Sequence, residues 1–223
     1  MRKLEPYLCY NFRIWNLKVQ YLPEQKEELP IVDKVIVAPG FESNTHRSGL
    51  FWDTRLRLLA AAMYYENGKT QKIIVGGAQI REMKDSFANL MKKELIEKYG
   101  IPETDIETEE FTFDTPSQVK WSRENAPALV NSAFITDSEQ KLDIEQLLKG
   151  NNLQLPVMSS EDIILKLARK SKHFKGFFKR LHSSPYWLKW KGRERLLTQF
   201  TKHFDSQGER RSMHTKKRVV KTF

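Results

Sequence analysis

A parallel α/β fold with helices on both faces of the sheet is predicted by two observations. One unit recurs three times between residues 34 and 150: a short apolar run, a glycine or small polar residue, then an amphipathic helix. Its copies read VIVAPG at 35–40, IIVGG at 73–77 and AFITDS at 133–138. Strands that alternate with helices are joined by crossovers and form a parallel sheet covered on both sides. The second observation is where the small residues fall. They sit at the carboxyl ends of the strands, the edge where such sheets hold ligands.

Each element follows in chain order. Residues 1–31 mix aromatics (Tyr7, Tyr10, Phe12, Trp15, Tyr21) with charges and read as an N-terminal arm. The run 32–38, interrupted by Asp33 and Lys34, is a buried strand. A polar loop, FESNTHRSG, leads to a helix over 51–65 with Leu58, Ala61, Ala62 and Tyr65 on one face, stopped by Asn67-Gly68. A strand over 72–75 and a helix over 83–99 follow, the latter with Phe87, Leu90, Met91 and Leu95 inward and Gly100-Ile101-Pro102 as its stop. Residues 106–113 alternate weakly and read as a strand. Pro116 behind Thr115 opens a helix to about Asn125. A strand over 133–136, a helix over 139–149 closed by Gly150, and a last strand over 153–157 complete the sheet. Ser159 caps a further helix, with Asp162 at its third position. The α/β domain therefore spans 32–164, a basic helical extension packed on it spans 165–205, and 206–223 is expected to be a disordered tail.

The chain has 223 residues and a net charge of +10. That charge is unevenly placed. Residues 165–223 carry 18 Lys and Arg against three Asp and Glu, whereas residues 1–164 carry 20 against 25. An acidic body thus bears a basic tail, which points to an anionic partner or to the body itself. Lys and Arg interleave with Phe174, Phe177, Phe178, Tyr186, Trp187 and Trp190. Such composition suits RNA and equally suits an anionic membrane surface. A third arrangement docks the aromatics on the body and turns the charges to water, and the core-like aromatic spacing favours it. No apolar run approaches the roughly 18 residues of a transmembrane helix, and no apolar segment follows the basic start as in a secretory signal. The single cysteine, Cys9, makes no internal disulfide, so a reducing, cytoplasmic setting is expected.

Several landmarks carry chemistry. Gly40, Gly76 and Gly77 stand where strands give way to loops. Glycine there either presents backbone N–H groups to an anion or simply makes a tight turn. Carboxylates gather at strand ends and helix starts: Glu42, Asp53, Asp85, Glu109, Asp114 and Asp137. Asp53 and Asp85 also suit helix N-termini. His46 and Arg47 form a His–Arg pair in the loop after the first strand. Gly68-Lys69-Thr70 imitates a phosphate loop, but Met63 replaces the required first glycine and a helix, not a strand, precedes it. The histidines follow no metal-ligand spacing, so no metal site is expected. No Ser–His–Asp arrangement or nucleophile elbow is present.

Taken in order, these landmarks resemble the YdcF-like family. The match runs from VIVAPG through Arg57, Ala61, Tyr65 and Gly68, then IIVGG, Asp85 and the Gly100–Pro102 turn. It continues with Glu109, Thr112 and Thr115 in EEFTFDT and ends with the strand FIT at 134–136. The resemblance covers about residues 32–157. It implies a Rossmann-like, nucleotide-utilising domain, with S-adenosylmethionine among its ligands. It also implies a ligand site at Gly40, Arg57, Gly76, Gly77, Asp85, Thr115 and Thr136, with Asp114 and Asp137 as catalytic groups. In that arrangement glycine N–H groups hold an anionic small molecule, Arg57 reaches its phosphate, and an aspartate orients a hydroxyl or takes a proton. The chain departs from the family at Val75, where Ser is usual, and after Asp114-Thr115. It also departs at Gln140 and Asp143, which stand where the family has its likeliest catalytic or phosphate-binding His and Arg. A binding module that has lost catalysis, and acts through the basic tail, is the alternative.

Overall fold

The computed structural model describes residues 29–40, 50–79, 84–168 and 172–211. The arm up to residue 28, the loop with His46 and Arg47, and residues 212–223 lie outside the described residues. Five parallel strands form one sheet: β1 (Lys34–Val37), β2 (Lys72–Gly76), β3 (Ile106–Glu109), β4 (Ser132–Thr136) and β5 (Val157–Ser159). Their order is β3-β2-β1-β4-β5. The central strand pairs Val35 with Ile73 on one side and with Ala133 on the other.

Alternation along the strands builds two cores. Val35, Val37, Ile73, Val75, Ala133 and Ile135 face the layer of α1 (Trp52–Glu66), α2 (Phe87–Tyr99) and α5 (Ser160–Leu167). Ile36, Ile74 and Phe134 face the layer of α3 (Thr115–Glu124) and α4 (Lys141–Gly150). The result is a three-layer, Rossmann-like α/β fold. Burial of both sheet faces explains why the strands read as continuous apolar runs. Helix α1 lies among the sheet, α2 and α5, and is buried on most of its circumference, Tyr64 completely so.

Local signals set the helix ends. Ser86 caps α2 by accepting the Asn89 N–H at 3.1 Å. Gly100 closes α2 in the left-handed conformation at φ 68°, where its N–H and that of Ile101 reach Ile96 and Leu95 carbonyls. Asp114 and Ser117 form a reciprocal capping box on α3. Ser159 accepts the Asp162 N–H at 3.0 Å to start α5.

The extension continues the fold. Helix α6 (Lys172–His182) adds Phe178 and Leu181 to the first core, and α7 (Pro185–Phe204) packs against α4 in the opposite layer. Its anchor is polar. Asp143 of α4 is fully buried, takes the Thr201 hydroxyl at 2.7 Å, and pairs with Arg211 at 2.8 Å through both carboxylate oxygens. Residues 206–211, expected to begin a disordered tail, are therefore part of the docked structure. Gly208, at φ 76°, lies against Pro116 and Leu147.

Four expected boundaries are corrected. The last strand is 157–159, not 153–157: the segment before it is extended, but β4 meets it only at Pro156, whose carbonyl accepts the Phe134 N–H. Strand β3 stops at Glu109 because that carboxylate turns back onto the N–H groups of Phe111 and Thr112. Helix α2 starts at Phe87, behind its Ser86 cap, and Gly150 is the last residue of α4, with Asn151 as its cap.

Candidate polar site at the carboxyl edge of the sheet

The strand order reverses at β1, whose neighbours β2 and β4 are reached in opposite directions. A doubly wound sheet opens a crevice at that point, outside the carboxyl ends of the two diverging strands. Arg57 of α1 lies there with no exposed surface. Its Nη1 donates to the carbonyls of Ala38 and Pro39 at 3.1 and 3.2 Å, and its Nη2 pairs with Asp137. The other oxygen of Asp137 takes the N–H groups of Glu139 and Gln140 at 3.0 and 2.9 Å. One guanidinium thus ties the end of β1 to the turn after β4.

Two more buried acids surround this pair. Asp53, one turn before Arg57, is lifted from 3.8 to about 6, chiefly by burial and also by the Asp137 charge, against the opposing pull of Arg57. Glu161, on the first turn of α5, accepts from the Ser138 N–H and hydroxyl and the Ser160 hydroxyl, each at 3.0 Å. Burial, followed by the Asp137 charge, raises it from 4.5 to about 7. Burial and the Asp137 charge both disfavour the ionised forms of these two acids, so each gives up its proton at a higher pH than a free carboxyl does.

The β2 side of the edge is also polar. Gln118 of α3 lies over Gly76, where a Cβ would overlap its amide nitrogen. Glu109 gathers the N–H groups of Phe111 and Thr112 at 2.5 and 3.0 Å and also accepts the Thr112 hydroxyl. A relay of 3.0 Å hydrogen bonds runs from the Thr136 hydroxyl to Gln140 Oε1 and from Gln140 Nε2 to Thr115. Two buried acceptors along this edge have no hydrogen-bond partner in the protein: Asp114 Oδ2 and Gln118 Oε1. Asp114 Oδ1 accepts the Ser117 N–H at 2.8 Å as the cap of α3.

The predicted site residues thus meet at one edge, but several have other work. Gly77 holds φ 144° and lies against Pro39 and Phe87, with Phe87 Cβ 2.7 Å from where its own Cβ would be. Their N–H groups do not form an open anion cradle. Gly40 donates to Thr54 Oγ1 and Gly77 to the Glu109 carbonyl, both at 2.8 Å. Gly40 is needed because a Cβ there would overlap the Asp53 carboxylate. Arg57 is enclosed rather than presented to a phosphate, and Asp137 is committed to holding it. Thr115 and Thr136 belong to the Gln140 relay. Asp85 is exposed at the approach to α2, accepts the Ser86 N–H at 3.0 Å, and makes none of these buried contacts. Sequence reading passed over Glu161 and Gln118. An acid directly after the last strand was the available signal for the first, and nothing local marked the second.

Among the described residues, no group of three or more His, Cys, Asp or Glu side chains is placed to hold a metal ion. No described helix is long and apolar enough to cross a membrane. The fold and this edge define a doubly wound α/β protein with a buried, acid-rich polar cluster at the carboxyl edge of its sheet. No protein-family model, no curated protein and no solved structure matches the chain.

Proposed function

We infer that the chain is a cytoplasmic protein that binds a nucleoside-type small molecule at the carboxyl edge of the sheet. The observation that carries this reading is the pair of buried acceptors without protein partners, Asp114 Oδ2 and Gln118 Oε1, on the edge where this fold class holds ligands. Unpaired buried acceptors are costly and call for a donor. Ribose hydroxyls or an amine supply such donors. Occupied glycine N–H groups and an enclosed Arg57 leave less for a phosphate than the sequence suggested. The ligand is therefore recognised through its donors, and S-adenosylmethionine, which carries ribose hydroxyls and positive charge, fits an acidic edge. Asp114 is the group best placed to orient a hydroxyl or take its proton, while Asp137 positions Arg57.

The test is thermal stabilisation by adenosine, S-adenosylmethionine, ATP and inorganic pyrophosphate, compared between the native chain and Gln118→Leu. Stabilisation by adenosine or S-adenosylmethionine that is lost in Gln118→Leu is the expected result. Stabilisation by pyrophosphate alone, or by none of the four, overturns the reading.

A further inference from the structure

Among its described side chains, helix α7 is amphipathic in the reverse sense from a docked helix. The face turned to α4 is polar: Glu194, Thr201 and Asp205 are 2%, 0% and 6% exposed. The outward face carries Leu188, Leu196, Phe200 and Phe204 at 56%, 74%, 38% and 66% exposure. These four stand at multiples of four residues and form one slowly winding stripe, and the Phe200 and Phe204 rings lie tilted by 34° with centroids 5.8 Å apart. Globular helices turn such a stripe inward. A contiguous exposed apolar strip rimmed by polar residues marks an interaction surface.

The rim selects the partner. Arg193, Arg195 and Lys202 are exposed beside the stripe, and residues 172–211 carry 11 Lys and Arg against three Asp and Glu. A second copy of the chain would set these cations against each other. Two of the four stripe residues are leucines, which stack poorly on bases, so RNA would use the stripe badly. An anionic bilayer satisfies both halves at once: acyl chains receive Leu and Phe, and headgroups receive Arg and Lys. The polar underside matters equally, because Asp143, Thr201 and Arg211 hold α7 against the body while its apolar side stays outward. We propose that the outward face of α7 docks the protein on the surface of an anionic membrane, with the helix lying in the interfacial plane.

The experiment is vesicle co-sedimentation of the full chain with phosphatidylcholine alone and with phosphatidylcholine containing about one third phosphatidylglycerol. Binding to the anionic vesicles that weakens in high salt is expected. The triple variant Leu196→Ser/Phe200→Ser/Phe204→Ser should bind roughly a hundredfold more weakly, with its melting temperature unchanged because these side chains lie outside the core. No binding to anionic vesicles, or equal binding by the triple variant, overturns the proposal. A lipid-free dimer that the triple variant dissociates assigns the stripe to a second copy and also overturns it. So does lipid-free protein whose stripe is already protected from hydroxyl-radical labelling, since the chain itself then covers it. Single-stranded RNA that the native chain binds more tightly than anionic vesicles would assign the cations to nucleic acid instead.

Discussion

Replacing Arg57 with methionine tests the architecture of the edge directly. Methionine keeps much of the length and all of the apolar stem but removes the charge and every donor. Three groups lose their partner: the Ala38 and Pro39 carbonyls and the Asp137 carboxylate. Breaking a buried pair from one side costs about 3–5 kcal/mol, and an orphaned carbonyl adds about 1–3 kcal/mol. We expect a loss of about 5 kcal/mol, a large share of the roughly 5–15 kcal/mol that holds a domain together. The loss should depend on pH. Arg57 is the charge that lowers Asp53, whereas burial and Asp137 raise it. Without the guanidinium the folded carboxyl moves further above about 6, so the variant's native state holds a proton that the unfolded chain releases. Its stability therefore falls as pH rises, and its deficit is larger near pH 8 than near pH 5. Urea unfolding at both values measures this. Arg57→Met/Asp137→Asn, which keeps an acceptor for the Glu139 and Gln140 N–H groups but no charge, should regain at least half of the loss. A deficit below about 1 kcal/mol, an equal deficit at both pH values, or no recovery in the double variant would refute the ion-pair account.

Other outcomes follow from the same geometry. Glu161 is raised from 4.5 to about 7 in the folded chain, so it stabilises less as pH climbs through that window, and its full cost is present above about 7. Glu161→Gln should therefore gain on the native chain by about 3 kcal/mol from low to high pH; melting curves that stay parallel across the window would contradict this. Arg211→Met leaves Asp143 fully buried with only the Thr201 hydroxyl, and should cost about 3 kcal/mol in urea unfolding while opening the extension to trypsin. Unaltered cleavage would show that the clamp holds nothing. Gly77→Ala meets Phe87 Cβ at 2.7 Å and an unfavourable φ of 144°, whereas Gly100→Ala, at φ 68°, meets nothing within 4 Å. The second should lose about 1 kcal/mol and the first at least twice that, with equal losses counting against the close packing of the β2 turn.

The runs VIV, IIV and AFIT were legible because a strand buried on both faces has nowhere to place a polar residue. Helix stops at Asn67-Gly68 and Gly100 were legible for the same kind of local reason. The last strand was misplaced because residues 153–156 alternate between partly buried and exposed, as a strand does, without joining the ladder. The site was legible only in outline. That Gly40, Arg57, Gly76, Gly77, Asp114, Thr115, Thr136 and Asp137 lie along one edge follows from strand ends. What each one touches does not, because Arg57 and Asp137 are 80 residues apart and Gln118 reaches Gly76 from the opposite layer. Pattern locates side chains by element, and only packing decides whether a guanidinium faces a ligand or two carbonyls. The extension misled for a related reason. Leu196, Leu197, Phe200 and Phe204 repeat at helical spacing, as a core face does, yet the buried side of α7 is the one bearing Glu194, Thr201 and Asp205.

The placing of the first strand at the centre of the sheet governs how the chain is made. Lys34 pairs with Lys72 and with Ser132, so one flank of β1 stays vacant until about a hundred further residues have been translated. At a synthesis rate of about 5–20 residues per second, that interval is on the order of 5–20 s, during which the backbone N–H and C=O groups along that edge have no strand to pair with. Nascent chains stalled before residue 132 would carry that edge bare and be sticky, while those that have passed residue 159 could close the sheet. Biogenesis of this molecule is set by its fourth strand, not its first.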